Sequence, residues 1–333
     1  MTTVLTKFDS FLQAYFNAPP TSVAAITGDA SFRRYFRIEH NGLSYILMAA
    51  EPSKVDNRPF VALTEHFAAG GLRVPQVLAV DHAQGLVLLE DFGSVHLADK
   101  LNEATRVSHY QQVLALMPKI ATLTPSSWMK PYDAAFIAME LDIFRDWLLS
   151  QWLQVPSTAE LTTRWQALQH WLVGEFIAQP QVTMHRDFHS RNIMAVEDGW
   201  ALIDYQDAVQ GPVCYDVVSL LRDCYFRLPE AEFIQLRHDA FILLHQAGLL
   251  AQISETEFAY YLDVTGLQRH LKAAGIFVRL WLRDGKAGYL ANILPTLAYI
   301  VEVAEKYPQS QWLASWLQAD IIPAVSAKLE SLA

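Results

Sequence analysis

Apolar and polar positions alternate over short runs in the first ninety residues and recur at helical spacing through most of the remainder. Phe8, Leu12 and Tyr15 share one side of a predicted amphipathic helix over 3–18. Extended runs follow at 23–27, 35–39 and 43–49, the last two separated by His40-Asn41-Gly42. An Asn-Gly pair between β-prone runs predicts a hairpin. Residues 59–69 read as a helix with Pro59 in its first turn, closed by Gly70-Gly71. Strands are expected at 76–81 and 85–90. Helix, three strands, helix and two strands predict a small antiparallel sheet with one helix packed on it.

After Gly93 the pattern turns helical. Phe136, Met139, Ile143, Phe144 and Trp147 recur at helical spacing, as do Leu168, Trp171, Leu172 and Phe176, and both stripes read as core. A non-helical island at 182–204 interrupts the helices, which resume at Tyr215 and continue to the end. No internal repeat or low-complexity linker is visible. The expected fold is α+β in two lobes: a β-rich lobe over 1–92, joined near Asp91 to a larger helical lobe over 93–333.

Composition narrows the function class. At 52% hydrophobic and 18% charged residues, the 333-residue chain is no disordered polymer. A net charge of -10 speaks against nucleic-acid backbones and anionic membranes as partners. Two cysteines, Cys214 and Cys224, are too few for a disulfide framework or a thiolate metal site, and read as core in a reducing compartment. The N-terminus carries no signal-peptide pattern. The longest charge-free apolar stretch, 287–301, falls short of the ~18 residues of a span and contains Pro295. A cytoplasmic location and a monomer are expected.

The island carries the candidate chemistry. It reads Met184-His185-Arg186-Asp187-Phe188-His189-Ser190-Arg191-Asn192-Ile193-Met194, with Leu202-Ile203-Asp204 shortly after. Phosphoryl transfer from ATP needs one carboxylate to orient the attacking hydroxyl, and an amide and a second carboxylate to hold magnesium on the phosphates. H-x-D-x-x-x-x-N followed by an apolar strand and an aspartate supplies that set: Asp187, Asn192 and Asp204, the last two as metal ligands. The apolar flanks 182–184 and 193–195 predict short strands bracing the loop. His185 and Arg186 read as further braces. Asp216 reads as a helix cap. Asp207 is a candidate for a second magnesium or the substrate. Asp91-Phe92-Gly93 spells a magnesium tripeptide but lies upstream of the loop; the protein-kinase-like fold that the loop resembles implies that this segment is the interlobe hinge, with backbone groups of Glu90 and Phe92 facing adenine.

The loop at 185–192 resembles that of the aminoglycoside phosphotransferase and choline kinase superfamily, where a histidine commonly stands where His189 does. The resemblance implies a protein-kinase-like fold, ATP and Mg2+ as cofactors, and Asp187 as the base. Only ten residues separate Asp204 from the helix start at Tyr215, too few for a peptide-docking platform, so the substrate is small. The superfamily's phosphate-covering loop falls on 27–37, where Ser31, Arg33 and Arg34 are the candidate contacts. Its phosphate lysine is missing from 43–50, which leaves Glu65 without a partner and Arg33, Arg34 or Lys54 as substitutes.

A narrower resemblance runs from Gly28 to Tyr299. Gly28-Asp29-Ala30-Ser31-Phe32-Arg33-Arg34-Tyr35-Phe36-Arg37, Asp204-Tyr205-Gln206-Asp207-Ala208 and Gly266-Leu267-Gln268-Arg269-His270-Leu271-Lys272 are similar to the anomeric amino-sugar kinases of cell-wall recycling. It implies N-acetylmuramate and N-acetylglucosamine as substrates, attacked at the C1 hydroxyl. Arg269, Lys272 and Arg279 lie in an apolar segment and need partners, either Asp223 or Asp284 or the carboxylate of N-acetylmuramate. Gln268, His270 and Asp223 are candidates for sugar hydroxyls. Two other readings stand beside this one: a kinase for an aminoglycoside, choline or amino alcohol, and a nucleotide-binding pseudokinase that regulates a partner.

Overall fold

The computed structural model describes residues 2–26 and 32–332, with side chains from Phe8 onward. The chain divides into two compact units, 1–96 with 192–206, and 97–191 with 207–333. In chain order the strands are β1 (Ser22–Ile26), β2 (Arg33–His40), β3 (Leu43–Ala50), β4 (Val77–Asp81), β5 (Leu86–Glu90), β6 (Gln181–Met184), β7 (Ile193–Val196), β8 (Gly199–Leu202) and β9 (Val209–Pro212). The helices are α1 (Thr2–Phe16), α2 (Arg58–Ala69), α3 (Arg106–Leu114), α4 (Met117–Ala121), α5 (Ala134–Ile143) and α6 (Ala159–Ala178). They continue with α7 (Tyr215–Leu221), α8 (Glu230–Gln246), α9 (Glu255–Asp284), α10 (Ile293–Ala304), α11 (Gln311–Trp316) and α12 (Ile322–Glu330).

The first unit is built on an antiparallel sheet in the order β1-β2-β3-β5-β4. Asn41 (φ 51°) and Gly42 (φ 76°) make the β2–β3 turn, since the matching twist requires two left-handed residues. Alternation puts Phe36, Ile38, Leu47, Leu86 and Leu88 on a buried face, closed by Phe8 and Leu12 of α1. Tyr15, expected on that face, is 39% exposed; Phe11 and Phe16 pack there instead. Two helices therefore serve the unit rather than one, because α2 also packs, with Phe60 and Phe67 stacked on Tyr205. The Tyr205 hydroxyl and Thr64 Oγ1 share a 2.8 Å hydrogen bond. The remaining member is the β7–β8 hairpin, tied in by Leu202 N–H to the Arg73 carbonyl (2.8 Å) and Ala195 N–H to the Val95 carbonyl (2.9 Å).

The second unit is helical apart from the β6–β9 ladder. Its long α9 is capped by the Ser254 side chain and ended by Gly285 at φ 70°. Gly275 lets α9 touch the chain opposite: a Cβ there would meet the Ile143 carbonyl oxygen at 2.5 Å. At that point α5 passes into a π-helix over Phe144–Trp152, a rare element. The residues of both predicted aromatic stripes are helical, with Phe144, Leu168, Leu172 and Phe176 buried and Met139 54% exposed. Residues 287–304 are apolar and long enough to cross a membrane (mean hydropathy 1.3), but half of the segment is buried, as in a core helix.

Candidate active site

Within the second unit, β6 delivers the chain to His185 and Arg186, whose amides both donate to the Asp216 carboxylate at 2.7 and 2.9 Å. Asp216 therefore does not cap its own helix, as expected from its position; it holds the loop from below. Burial pushes its carboxyl up to about 7, against the pull of those two amides. Arg186 adopts φ 76°, a left-handed backbone that a non-glycine residue takes only when its surroundings compel it. The strain falls at the residue that turns the loop toward Asp187. Farther along, Asp223 accepts from Ser190 N–H (3.0 Å), Ser190 Oγ (2.5 Å) and Tyr225 N–H (2.9 Å).

Behind the loop lies a carboxylate that the sequence reading did not single out. Glu140 of α5 is 1% exposed and pairs with Arg186 Nη2 at 2.7 Å and Lys272 Nζ at 2.8 Å. It also accepts from the Tyr132 hydroxyl and, at 3.3 Å, from Gln268 Nε2. Lys272 donates further to the Tyr215 hydroxyl at 3.0 Å. Two cations on one carboxylate leave a net positive charge in a buried place. Half-buried Asp187 answers it: burial alone would raise its carboxyl, but Lys272, Arg186, His189 and His185 outweigh burial and hold it below the usual aspartate range. His189 is shifted down, mainly by burial. A glutamate in the apolar run Ala134-Ala135-Phe136-Ile137-Ala138-Met139-Glu140-Leu141 was the available signal, because a buried carboxylate must be paired.

Within the first unit, the β7–β8 register pairs Ile193 with Leu202, so Asn192 and Asp204 leave the open end of one hairpin together. Asn192 Nδ2 donates to Asp204 Oδ2 at 3.3 Å, and Ile203 N–H donates to the Asn192 carbonyl at 3.1 Å. Asp204 lies two residues beyond β8 rather than at its end, at φ 65°. Gln206 Nε2 donates to Asp204, while its buried Oε1 has no partner. An exposed carboxylate, an amide oxygen and an orphaned side-chain oxygen form a hard-oxygen set that fits Mg2+, which takes one or two protein ligands beside phosphates. The short strands expected around the loop are both present, but each pairs elsewhere, β6 with β9 and β7 with β8.

The other candidate residues fall into distinct places. Ser31 lies outside the described residues. Arg33 and Arg34 open β2, and Arg34 sits 5.2 Å from the Phe36 ring centroid. Lys54 pairs with Glu51 at 2.7 Å, and Glu65 is exposed. The Glu90 carboxylate is held by Arg73, which also lies over the Phe92 ring at 4.6 Å. Glu90 N–H donates to the Gln76 carbonyl at 2.9 Å, so that donor is not open to adenine. Asp91 pairs with Arg37 at 2.6 Å and accepts from Ser44 and Gly93 N–H. Asp207 is exposed. Asp223, Gln268 and His270, expected to meet sugar hydroxyls, are almost fully buried and engaged. His270 Nε2 meets the Arg222 carbonyl at 2.8 Å, its ring stacks on Tyr299, and burial pushes its pKa down to about 3. Arg269 is 7% exposed, with Nη1 3.8 Å from Cys224 Sγ. Arg279 is half-buried.

Residues 22–250 match the phosphotransferase enzyme family. N-acetylmuramate/N-acetylglucosamine kinase of Pseudomonas aeruginosa is 34% identical over 87% of this chain and 86% of its own. Its counterpart from Neisseria meningitidis is 33% identical over 91% and 92%. Among solved structures, ADP-bound aminoglycoside phosphotransferase APH(2'')-Ib superposes with a TM-score of 0.61 at 11% identity, covering 89% of this chain and 98% of that one. The five-stranded sheet, the helical remainder and these matches agree, and the chain belongs to the phosphotransferase enzyme family.

Proposed function

We propose that this protein is an ATP- and magnesium-dependent kinase that phosphorylates the anomeric hydroxyl of N-acetylmuramate and N-acetylglucosamine, acting as a cytoplasmic monomer in peptidoglycan recycling. The observation that carries the reading is Asp187, a carboxylate kept ionised by buried cations on a loop whose backbone is pinned by Asp216 and Asp223. The names of the P. aeruginosa and N. meningitidis relatives support the choice of sugar. Asn192 and Asp204 would hold magnesium, which when bound neutralises charge on the phosphates. Arg33 and Arg34 stand in for the phosphate lysine missing from β3.

In the reaction the sugar C1 oxygen bonds to the γ-phosphorus, the bond from that phosphorus to the bridging oxygen breaks, and ADP departs. Asp187 accepts the hydrogen bond of the C1 hydroxyl and takes its proton as the new bond forms. A carboxylate with a depressed pKa is a weak base, so its contribution is chiefly to orient. An anomeric hydroxyl is more acidic than an ordinary alcohol, which suits that base. A choline-like or aminoglycoside acceptor is cationic and would meet Arg186, Lys272 and Arg279 unfavourably.

Phosphorus NMR of the products formed from ATP, magnesium and each sugar tests the proposal. An anomeric phosphate signal is expected with wild type. Asp187→Asn should lower turnover by ~10²–10⁴-fold. Absence of any phosphorylated sugar from wild type that still binds nucleotide would favour a regulatory pseudokinase.

A further inference from the structure

We infer that the guanidinium of Arg279, which among the described residues has no ion-pair partner and shares an α9 face with Gln268 and Lys272, is the specificity residue that binds the carboxylate of a carboxylated amino sugar. The inference rests on the amino-sugar kinase reading above and assigns, within that site, what distinguishes its two substrates.

The charge inventory of the second unit leads there by subtraction. Arg186 and Lys272 are both taken by Glu140, at 2.7 and 2.8 Å. Arg269 is nearly fully buried beside Cys224. Asp284, the acid nearest along the chain to Arg279, is held in a two-point contact by Arg283, at 2.8 Å on each arm. Among the described residues Arg279 has no carboxylate in ion-pair contact, and its buried Nε has no hydrogen-bond partner. Burial and then the charge of Arg283 act against its cationic form, and Asp284 and Glu140 offset them only in part. A half-buried, forked donor left in that condition costs stability, and a bidentate carboxylate would satisfy both its charge and its geometry.

Position along α9 supplies the second argument. Residues 268, 272, 275 and 279 fall on one face, since steps of three and four residues return to the same side of a helix. Lys272 contributes to the field on Asp187 and pairs with Glu140 at 2.8 Å, and the charge of Glu140 also reaches Arg279, though as the smallest of the influences on it. Arg279 stands seven residues beyond Lys272 on that face, a rise of about 10 Å. N-acetylmuramate carries a carboxylate on its lactyl branch and N-acetylglucosamine carries none, so only the first gains from this contact.

The test is kcat/KM for both sugars in wild type, Arg279→Met and Arg279→Lys, with thermal melting as the folding control. Arg279→Met should lower the ratio of N-acetylmuramate to N-acetylglucosamine efficiency by about 10- to 100-fold, whatever loss the two share. The change should be carried by KM for N-acetylmuramate, and Arg279→Lys should recover part of it. An unchanged ratio in a folded Arg279→Met protein overturns the assignment and leaves the kinase reading standing. So does wild type that accepts only N-acetylglucosamine. Wild type that phosphorylates neither sugar overturns the kinase reading instead. If Arg279→Met melts early, the ratio measured with Arg279→Lys and Arg279→Gln decides.

Discussion

A half-buried aspartate among apolar neighbours stays an anion more readily where cations answer it, and here the cations are themselves anchored. Glu140 fixes Arg186 and Lys272, and their surplus charge acts on Asp187. Replacing Lys272 with Met removes the largest favourable influence on that carboxylate. Its pKa then rises, so activity should fall first at the acid end, and the acid limb of the kcat profile should move to higher pH. The sign follows from the folded-state shift: Asp187 lies below its ordinary value because of Lys272 and recovers toward it without Lys272. Glu140 keeps Arg186, so the stability loss should be about 1–3 kcal/mol in urea titrations rather than the larger cost of a stranded charge. A lost activity with an unshifted limb would mean that Lys272 acts on the substrate directly. The meeting of Asn192 and Asp204 was legible from their spacing. Glu140 and the tasks of Asp216 and Asp223 were not, because their partners are distant in sequence: 46 residues from Arg186, 31 from His185 and 33 from Ser190.

At the scale of elements, two junctions organise the candidate residues. The β7–β8 hairpin converts a twelve-residue separation of Asn192 and Asp204 into side-chain contact, because its register places both at the open end. The α9 crossing at Gly275 brings that helix against the start of the π-helix, where Ile143 and Phe144 backbone atoms lie 2.5–2.7 Å from where a Cβ would be. Those atoms belong to backbone and cannot swing aside. Gly275→Ala should therefore destabilise the protein by about 1–3 kcal/mol, read from chemical denaturation, whereas Gly288→Ala, with open space at its Cβ, should have little effect. Equal stability of the two variants would show that α9 can shift without cost. Strands and helices were well placed by periodicity in the first ninety residues. The π-helix was not, since its apolar spacing differs too little from that of an α-helix over nine residues.

At the scale of the whole chain, the first unit is not a contiguous piece. Residues 192–206 belong with 1–96 and supply Tyr205 to the Phe60, Thr64 and Phe67 cluster of α2. A fragment ending at His96 lacks that plug and the hairpin hydrogen bonds to Arg73 and Val95. It should expose apolar surface, bind a hydrophobic dye, lack a cooperative melt and show weak amide protection in α2. A fragment 1–96 with a cooperative melt and protected α2 amides would refute this view of the unit.

The sequence by itself determined the alternation of the first sheet, the turn at Asn41-Gly42, the helical character after Gly93 and the loop that carries Asp187 and Asn192. Each rests on spacing within a few residues, where periodicity and backbone preference act directly. Only the tertiary structure decided what charged residues far apart in the chain do to one another. It sorted Arg269, Lys272 and Arg279, alike as cations in one apolar helix, into two with side-chain partners and one that, among the described residues, has no ion pair and an orphaned Nε. The reason is physical: the cost of a buried charge depends on which opposite charge the fold brings within a few ångströms, and that distance is set by packing.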